Sequence, residues 1–192
     1  GDCDTAYEKI LAELPEGSFV ASGELHAETL PGFVAPTPLA LVGHGIREKT
    51  VVYSTTNGTV AVQKSLGAAH LYAGALLNGE ALVERIFRDH PGDTVILVCS
   101  GSAGAVNLED MIGAGFYAEL LAQRLGGDGG LSDAALAVRD LYNASNPFDA
   151  LMRSRVGRMM QDRQLVHEVE FASRRSVLDV VPKLAGDRLV LA

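Results

Sequence analysis

Residues 97–110 read LVCSGSAGAVNLED: an apolar run ends at Cys99, passes through small residues and hydroxyls, and meets two adjacent carboxylates, Glu109 and Asp110. Three chemistries use such a stretch: a thiol nucleophile over a phosphate loop, an anion cradle at a helix start, or a carboxylate metal site. A second stretch of the same character, STTNGT at 54–59, follows another apolar run. Glycines let backbone N–H groups approach an anion, and a helix N-terminus adds partial positive charge. Any strand-to-helix turn draws on the same residues for capping and φ, so one such loop does not decide. Two loops in one sheet tilt the reading toward an anion site. The expectation is that Thr55, Thr56, Asn57, Gly58 and Thr59 share one pocket with Ser100, Gly101, Ser102 and Gly104, at the carboxyl edge of the strands.

Sharper motifs fail on inspection. A cysteine-dependent phosphatase loop needs an arginine six residues after the nucleophile, and that position is Ala105. A nucleophile elbow needs glycines two residues either side of a serine; Ser100 has Val98 and Ser102 there, and Ser102 has Ser100 and Gly104. No Gly-Lys-Ser/Thr phosphate loop is present. Cys99 is therefore expected to be a largely buried strand-end thiol, dispensable for chemistry. Glu109 and Asp110 fall in the first turn of the next helix, where acids also offset the helix dipole. Neighbours on a helix diverge by about 100°, so one of the two is expected to face a site. One carboxylate beside an anion loop suits Mg²⁺, which takes one or two carboxylates and completes its shell with substrate oxygens and water. Solvent-facing acids at a helix start explain the pair equally well.

The whole chain bounds these readings. Its 192 residues carry a net charge of -8, which argues against a nucleic-acid partner and against a polybasic membrane contact. No apolar run approaches the roughly 20 residues a membrane helix needs, and no secretory leader is apparent. Two cysteines, Cys3 and Cys99, make no disulfide framework, so a reducing cytoplasm is the expected setting.

The elements that must position these loops follow from periodicity. Residues 5–14 place Tyr7, Ile10, Leu11 and Leu14 on one helical face, and Pro15-Glu16-Gly17 ends that helix. SFVAS predicts a strand, followed by a long Pro- and Gly-bearing loop through Pro38. TVVYST, HLYAGA and TVILVCS read as strands; VAVQKSLGAA, LLNGEALVERIFRDH and NLEDMIGAGFYAELLAQRL read as helices. GGDGG at 126–130 is a linker, Ser132 or Asp133 caps the next helix, and Asn146-Pro147 opens one running to Gln161. The end predicts a strand pair turned at Gly186-Asp187. Strand–helix alternation with fully apolar strands gives one α/β domain over 1–192.

With both loops placed, the chain resembles the 2-phosphosulfolactate phosphatase family of coenzyme M biosynthesis. The matching stretches are TVVYSTTNGT with AGALLNGEAL, VCSGSAGAVNLEDMIGAG, and RSRVGR leading to VEFASRRSVLDVVP, in the family's order. SGE and LPGF fit upstream, and the likeness runs from about Gly23 onward. It implies a three-layer α/β/α fold with a mostly parallel or mixed central sheet, and a Mg²⁺-dependent phosphatase activity. Glu24, the Thr55–Thr59 turn, Asn78, Cys99, Gly101, Gly104, Glu109, Asp110, Gly115, Arg155, Gly157 and Arg158 carry over. The resemblance implies that both loops and the arginine pair line one anion pocket, that Glu109 and Asp110 serve the chemistry, and that Asp110 and Glu24 hold the metal.

The chain also departs from that family. Leu25, Val60 and Ala103 stand where members usually have arginine, and Ser176 stands where an acid is usual. Each lost arginine removes a fixed charge and a bidentate donor. The usual opening strand, with an Asp-x-x-Arg-Ala-Thr-like motif, precedes anything matched here, so the resemblance implies a member shortened at its N-terminus. The expected function is hydrolysis of a phosphate ester of a small sulfonated or carboxylated acid. The alternative is a catalytically impaired binding protein for a small anion on the same fold. The expected partner is a small anionic metabolite, with no nucleic acid and no membrane, and a homo-oligomer is left open.

Overall fold

Alternating and apolar runs meet their partners first at residues 19–54. Phe19–Leu25 forms β1, which pairs in parallel with β3 (Thr50–Ser54), Phe19 opposite Thr50 and Gly23 opposite Ser54. On its other side β1 pairs antiparallel with the two-residue β2 (Glu28–Thr29), Glu24 opposite Thr29. The sheet is thus mixed, in the order β2-β1-β3, and the chain is of the α/β class. The computed structural model describes residues 13–25, 28–102 and 104–192. The helix expected over 5–14 lies outside these, apart from Glu13 and Leu14.

The chain divides after Thr59 into two compact units. In the first, Val20 and Val52 are buried from adjacent strands, and so is Ser22, whose hydroxyl has no partner among the described residues. The long loop predicted through Pro38 contains β2 and leads into α1 (Pro38–Gly43), which begins at a proline in its first turn. Pro fits there because the first helical N–H groups have no intrahelical acceptor. α2 (Gly58–Lys64) follows β3 across the boundary between the units.

The second unit is helical around one long element. α3 (Gly79–Asp89) and α4 (Leu108–Leu125) form as the periodicity predicts, and Gly126 closes α4 with φ of 76°. α5 (Asp133–Asn143) starts where Ser132 accepts a hydrogen bond from the Ala135 N–H. Along α4, Ile112 and Phe116 pack with Leu76, Tyr142 and Ala150, while Tyr117 and Leu121 pack with Leu82 and Val83. Burying these four α4 side chains contributes about 1.5–3 kcal/mol each, which makes α4 the spine of the unit.

Two expectations are corrected here. The helix read from Asn146 to Gln161 is two helices, α6 (Pro147–Arg153) and α7 (Arg155–Asp162), broken at Ser154 with φ −64° and ψ 165°. Ser154 caps α7 by accepting from the Gly157 N–H at 2.9 Å. A Cβ on Gly157 would come within 2.0 Å of the Leu151 carbonyl, so the sharp reversal needs glycine. Residues 166–172, which carried no expectation, form α8 (Val166–Ala172).

The second correction concerns the apolar run at 94–100. It carries no sheet pairing among the described residues, and Ile96 is 77% and Val98 58% exposed. A strand exists only beside a partner. Within this unit the nearby pairing is already made: β4 (Pro182–Ala185) with β5 (Arg188–Leu191), and residues 71–73 with β4. HLYAGA, read as a strand, is accordingly a single bridge from Tyr72 to Lys183.

Among the described residues, no helix is long and apolar enough to cross a membrane.

Candidate anion-binding site

In the second unit the small residues after Cys99 fold on themselves. Ser102 and Ala105 exchange both backbone hydrogen bonds at 2.9 Å, closing a two-residue turn over Gly104, which has φ of 78°. Ala103 lies outside the described residues. One carboxylate holds this loop from below: Asp110 Oδ2 accepts from the Gly101 N–H at 2.7 Å, with the Ser100 hydroxyl at 3.4 Å. Asp110 therefore faces the loop backbone, while its neighbour Glu109 lines a cleft on the other side. The divergence expected of adjacent helical residues is what the structure has.

That cleft, of about 350 Å³, is bounded by Ser102, Asn107, Glu109, Ser154, Arg155 and Arg158, with Arg153 at its wall. Two helix N-termini open onto it. Asn107 precedes the first turn of α4, and Ser154 precedes that of α7. Arg155 reaches across to donate to the Ser102 hydroxyl at 2.8 Å, and Arg158 donates to the Arg153 carbonyl. Among the described residues, three guanidinium groups stand against the one carboxylate of Glu109; joined to two positive helix ends, they make this wall attractive to a small multivalent anion. Arg155 and Arg158, the pair that the resemblance gathers into one anion pocket, both line the cleft. Arg153 and Ser154 were missed, because the sequence was read as one continuous helix there; the signal available was a serine followed three residues later by a glycine.

Cys99 corrects a third expectation: it is exposed rather than buried. Among the described residues no strand pairs with 94–100, and the end of that run is exposed. Its thiol approaches the Asp110 carbonyl at 3.5 Å. Desolvation by its neighbours, and then the negative charge of Asp110, push the thiol above its ordinary pKa, which disfavours a nucleophilic thiolate.

The loop after β3 belongs to the first unit and is built differently. Thr55 Oγ1 accepts from the Gly58 N–H at 3.1 Å and the Thr59 N–H at 3.4 Å, so it caps α2. The Thr59 hydroxyl returns to the Thr55 carbonyl at 2.9 Å. Glu24, at the end of β1, takes the Thr56 N–H on one oxygen at 2.7 Å and the Thr56 hydroxyl on the other at 3.1 Å. Leu25 and Val60 are both exposed, at 55% and 48%.

Asn78 holds the scaffold. It is buried, accepts from the Ala75 N–H at 2.8 Å, and donates to the Val180 carbonyl at 3.0 Å. The Tyr117 hydroxyl donates to the Ala75 carbonyl at 2.9 Å, with Asn78 Oδ1 at 3.1 Å. Burial raises the Tyr117 pKa well above its usual range.

As a magnesium cage these side chains are sparse. Both oxygens of Glu24 and one of Asp110 already accept loop N–H or hydroxyl groups. Neither of them, nor Glu109, belongs to a cluster of three metal-ligating side chains among the described residues. They fit the mode in which one carboxylate shares the ion with phosphate oxygens and water.

A family model described as 2-phosphosulpholactate phosphatase matches residues 2–187. A protein of Carboxydothermus hydrogenoformans named probable 2-phosphosulfolactate phosphatase is 33% identical over 172 residues, covering 88% of this chain and 70% of that protein. Proteins of the same name from Deinococcus radiodurans and Clostridium beijerinckii are 31% and 25% identical, covering 86% and 92% of this chain and 70% and 74% of their own lengths. Similarity of this extent, along nearly the whole sequence, places the chain in the 2-phosphosulfolactate phosphatase family.

Proposed function

We propose that the chain is a phosphoric monoester hydrolase acting on the phosphate ester of a small sulfonated or carboxylated acid. The observation that carries this reading is the cleft in which Arg153, Arg155 and Arg158 meet the N-termini of α4 and α7. Phosphoryl oxygens take the bidentate guanidinium groups and the helix N–H groups, while the acid end of the substrate takes a remaining arginine. Glu109 is the cleft's carboxylate and accepts the proton of the attacking water as its oxygen bonds to phosphorus. The ester P–O bond breaks on the opposite side, and the leaving oxygen is protonated from solvent. Asp110 and Glu24 act by fixing their loops.

Mg²⁺ would be held in this cleft by Glu109 together with phosphate oxygens and water, the mode that needs one carboxylate. When bound it neutralises charge on the phosphoryl group. The names of the relatives support 2-phosphosulfolactate as the first substrate to try, and the low cysteine content supports action in a reducing cytoplasm on a soluble metabolite. A phosphate-release screen over small phospho-acids, with and without Mg²⁺, tests the reading. Release that needs Mg²⁺ and is lost in Arg155→Ala and Glu109→Gln supports it. Tight binding of the same acids without release would replace it with the anion-binding alternative.

A further inference from the structure

We infer that His70, His90 and Asp93 form a binding site for a borderline divalent transition ion of the Zn²⁺ class, with no residue in common with the arginine cleft and of different chemistry. His70 lies in the segment after α2, His90 directly follows α3, and Asp93 completes the turn beyond it, its N–H donating to the His90 carbonyl at 3.2 Å. One ligand atom from each of the three lies within 4.8 Å of the others. The two imidazole rings stack with centroids 3.9 Å apart and planes 25° from parallel; a nitrogen lone pair lies in its ring plane, so the exposed His70 turns out of this stack to share an ion with His90.

The hydrogen bonding at His90 fixes which atom is offered. Its Nε2 is 2.7 Å from the Tyr72 hydroxyl, so Nδ1 is the atom that faces Asp93, at 3.9 Å from Oδ2. That distance is too long for a hydrogen bond. It is close to the spacing of about 3.3–3.5 Å that two ligands take on one tetrahedral zinc with bonds of about 2.0–2.1 Å. If the Tyr72 oxygen accepts the Nε2 proton, the Nδ1 lone pair is left for the metal, the outer-shell arrangement that metal-bound histidines commonly have. Two imidazoles and one carboxylate suit Zn²⁺ or Co²⁺ and leave a fourth position for water; Mg²⁺ prefers all-oxygen ligands. His70 and Asp93 are exposed and His90 is half-buried, so an ion can enter without rearrangement of the core. Bound there, it ties the segment leading to Tyr72 onto the end of α3.

The test uses the full chain stripped of metal. Calorimetric titration with Zn²⁺ alone, a thermal melt with and without Zn²⁺, and the visible ligand-field spectrum of added Co²⁺ read the site without reference to phosphatase activity. The expected result is one-to-one Zn²⁺ binding, a higher Tm with Zn²⁺, and a four-coordinate Co²⁺ spectrum. His70→Ala and Asp93→Asn, both on exposed side chains, should each weaken Zn²⁺ by tenfold or more and abolish the Co²⁺ bands, while their metal-free melts stay at the wild-type temperature. Tyr72→Phe should weaken binding less than either. No Zn²⁺ binding by the wild type, or binding unchanged in both ligand variants, overturns the assignment.

Discussion

The loops after β3 and after Cys99 are made of the same kinds of residue and come to different ends. Each is pinned by one carboxylate, Glu24 on Thr56 and Asp110 on Gly101. In the first loop the hydroxyls turn inward: Thr55 and Thr59 bond the loop's own backbone and cap α2. In the second loop a tight turn at Ser102–Ala105 presents its serine to Arg155, which lies 53 residues further along the chain. Small residues make a loop able to hold an anion, but charge delivered from a distant helix makes it attractive to one.

The largest effect expected from this contrast is on anion affinity. Arg155→Ala and Arg158→Ala should each weaken binding of a phospho-acid by about 100-fold, or about 2.7 kcal/mol, measured by calorimetry. Thr59→Ala, which removes a local hydroxyl bond, should leave the fold intact at a cost of about 1 kcal/mol. Equal loss of affinity from all three substitutions would break the distinction between a self-capped loop and a charged one.

Next in size are the two pins. Glu24→Ala and Asp110→Ala should each destabilise their unit by about 1–3 kcal/mol, because each strands a loop N–H that is partly buried, as read by urea unfolding. Asp110→Asn should be milder, since its amide oxygen still accepts from the Gly101 N–H. Asp110→Asn also removes the negative charge that raises the Cys99 pKa. In a Cys3→Ser background its alkylation at neutral pH should therefore run several-fold faster than in the parent. Slower alkylation would show that the charge of Asp110 does not reach the thiol.

How much of this was visible in the sequence follows from where the information resides. α4 and α5 were legible because apolar spacing and the Ser132 cap are local signals. The two loops were legible as loops for the same reason. The run at 94–100 was not, because its apolar pattern specifies burial in a sheet and says nothing of which strand lies alongside. Ser154 was hidden because a serine amid good helix formers breaks a helix only when a close approach, here Gly157 on Leu151, rewards the turn. Arg153 was missed with it. The resemblance had already gathered Arg155 and Arg158 with the cysteine loop, which spacing alone cannot do across 53 residues.

Stability against acid separates the units from a different side. Hydrogen bonds from Asn143 and Gln123, and then the charge of Arg139, hold the Glu119 carboxyl below its ordinary pKa. Its native state therefore binds a proton less readily than its unfolded state. The stability it contributes to the α4–α5 contact is complete above the unfolded carboxylate pKa and is lost as pH falls through the depressed folded value. Glu119→Gln should flatten that part of the acid-unfolding curve for the second unit. An unchanged slope would mean that other carboxylates carry it.

The smallest expected effects compare one glycine from each loop. Gly104 has φ of 78° with nothing within 4 Å of where a Cβ would stand, so Gly104→Ala meets no clash and only the strain of a left-handed backbone. That strain costs about 1–2 kcal/mol, and any loss of anion affinity should come from the distorted turn, not from a filled cleft. Gly58 opens α2 with an ordinary helical backbone, and a Cβ there would stand 3.2 Å from Thr55 Oγ1. Alanine gains up to about 1 kcal/mol of helix propensity over glycine, and it crowds a hydroxyl that must then give by a few tenths of an ångström. The two terms oppose, so Gly58→Ala should move the melting temperature by no more than a few degrees in either direction. A thermal melt of both variants decides the matter. If Gly58→Ala proved the more damaging, the loop after β3 would depend on its glycine for more than capping α2, and the contrast between the loops would narrow.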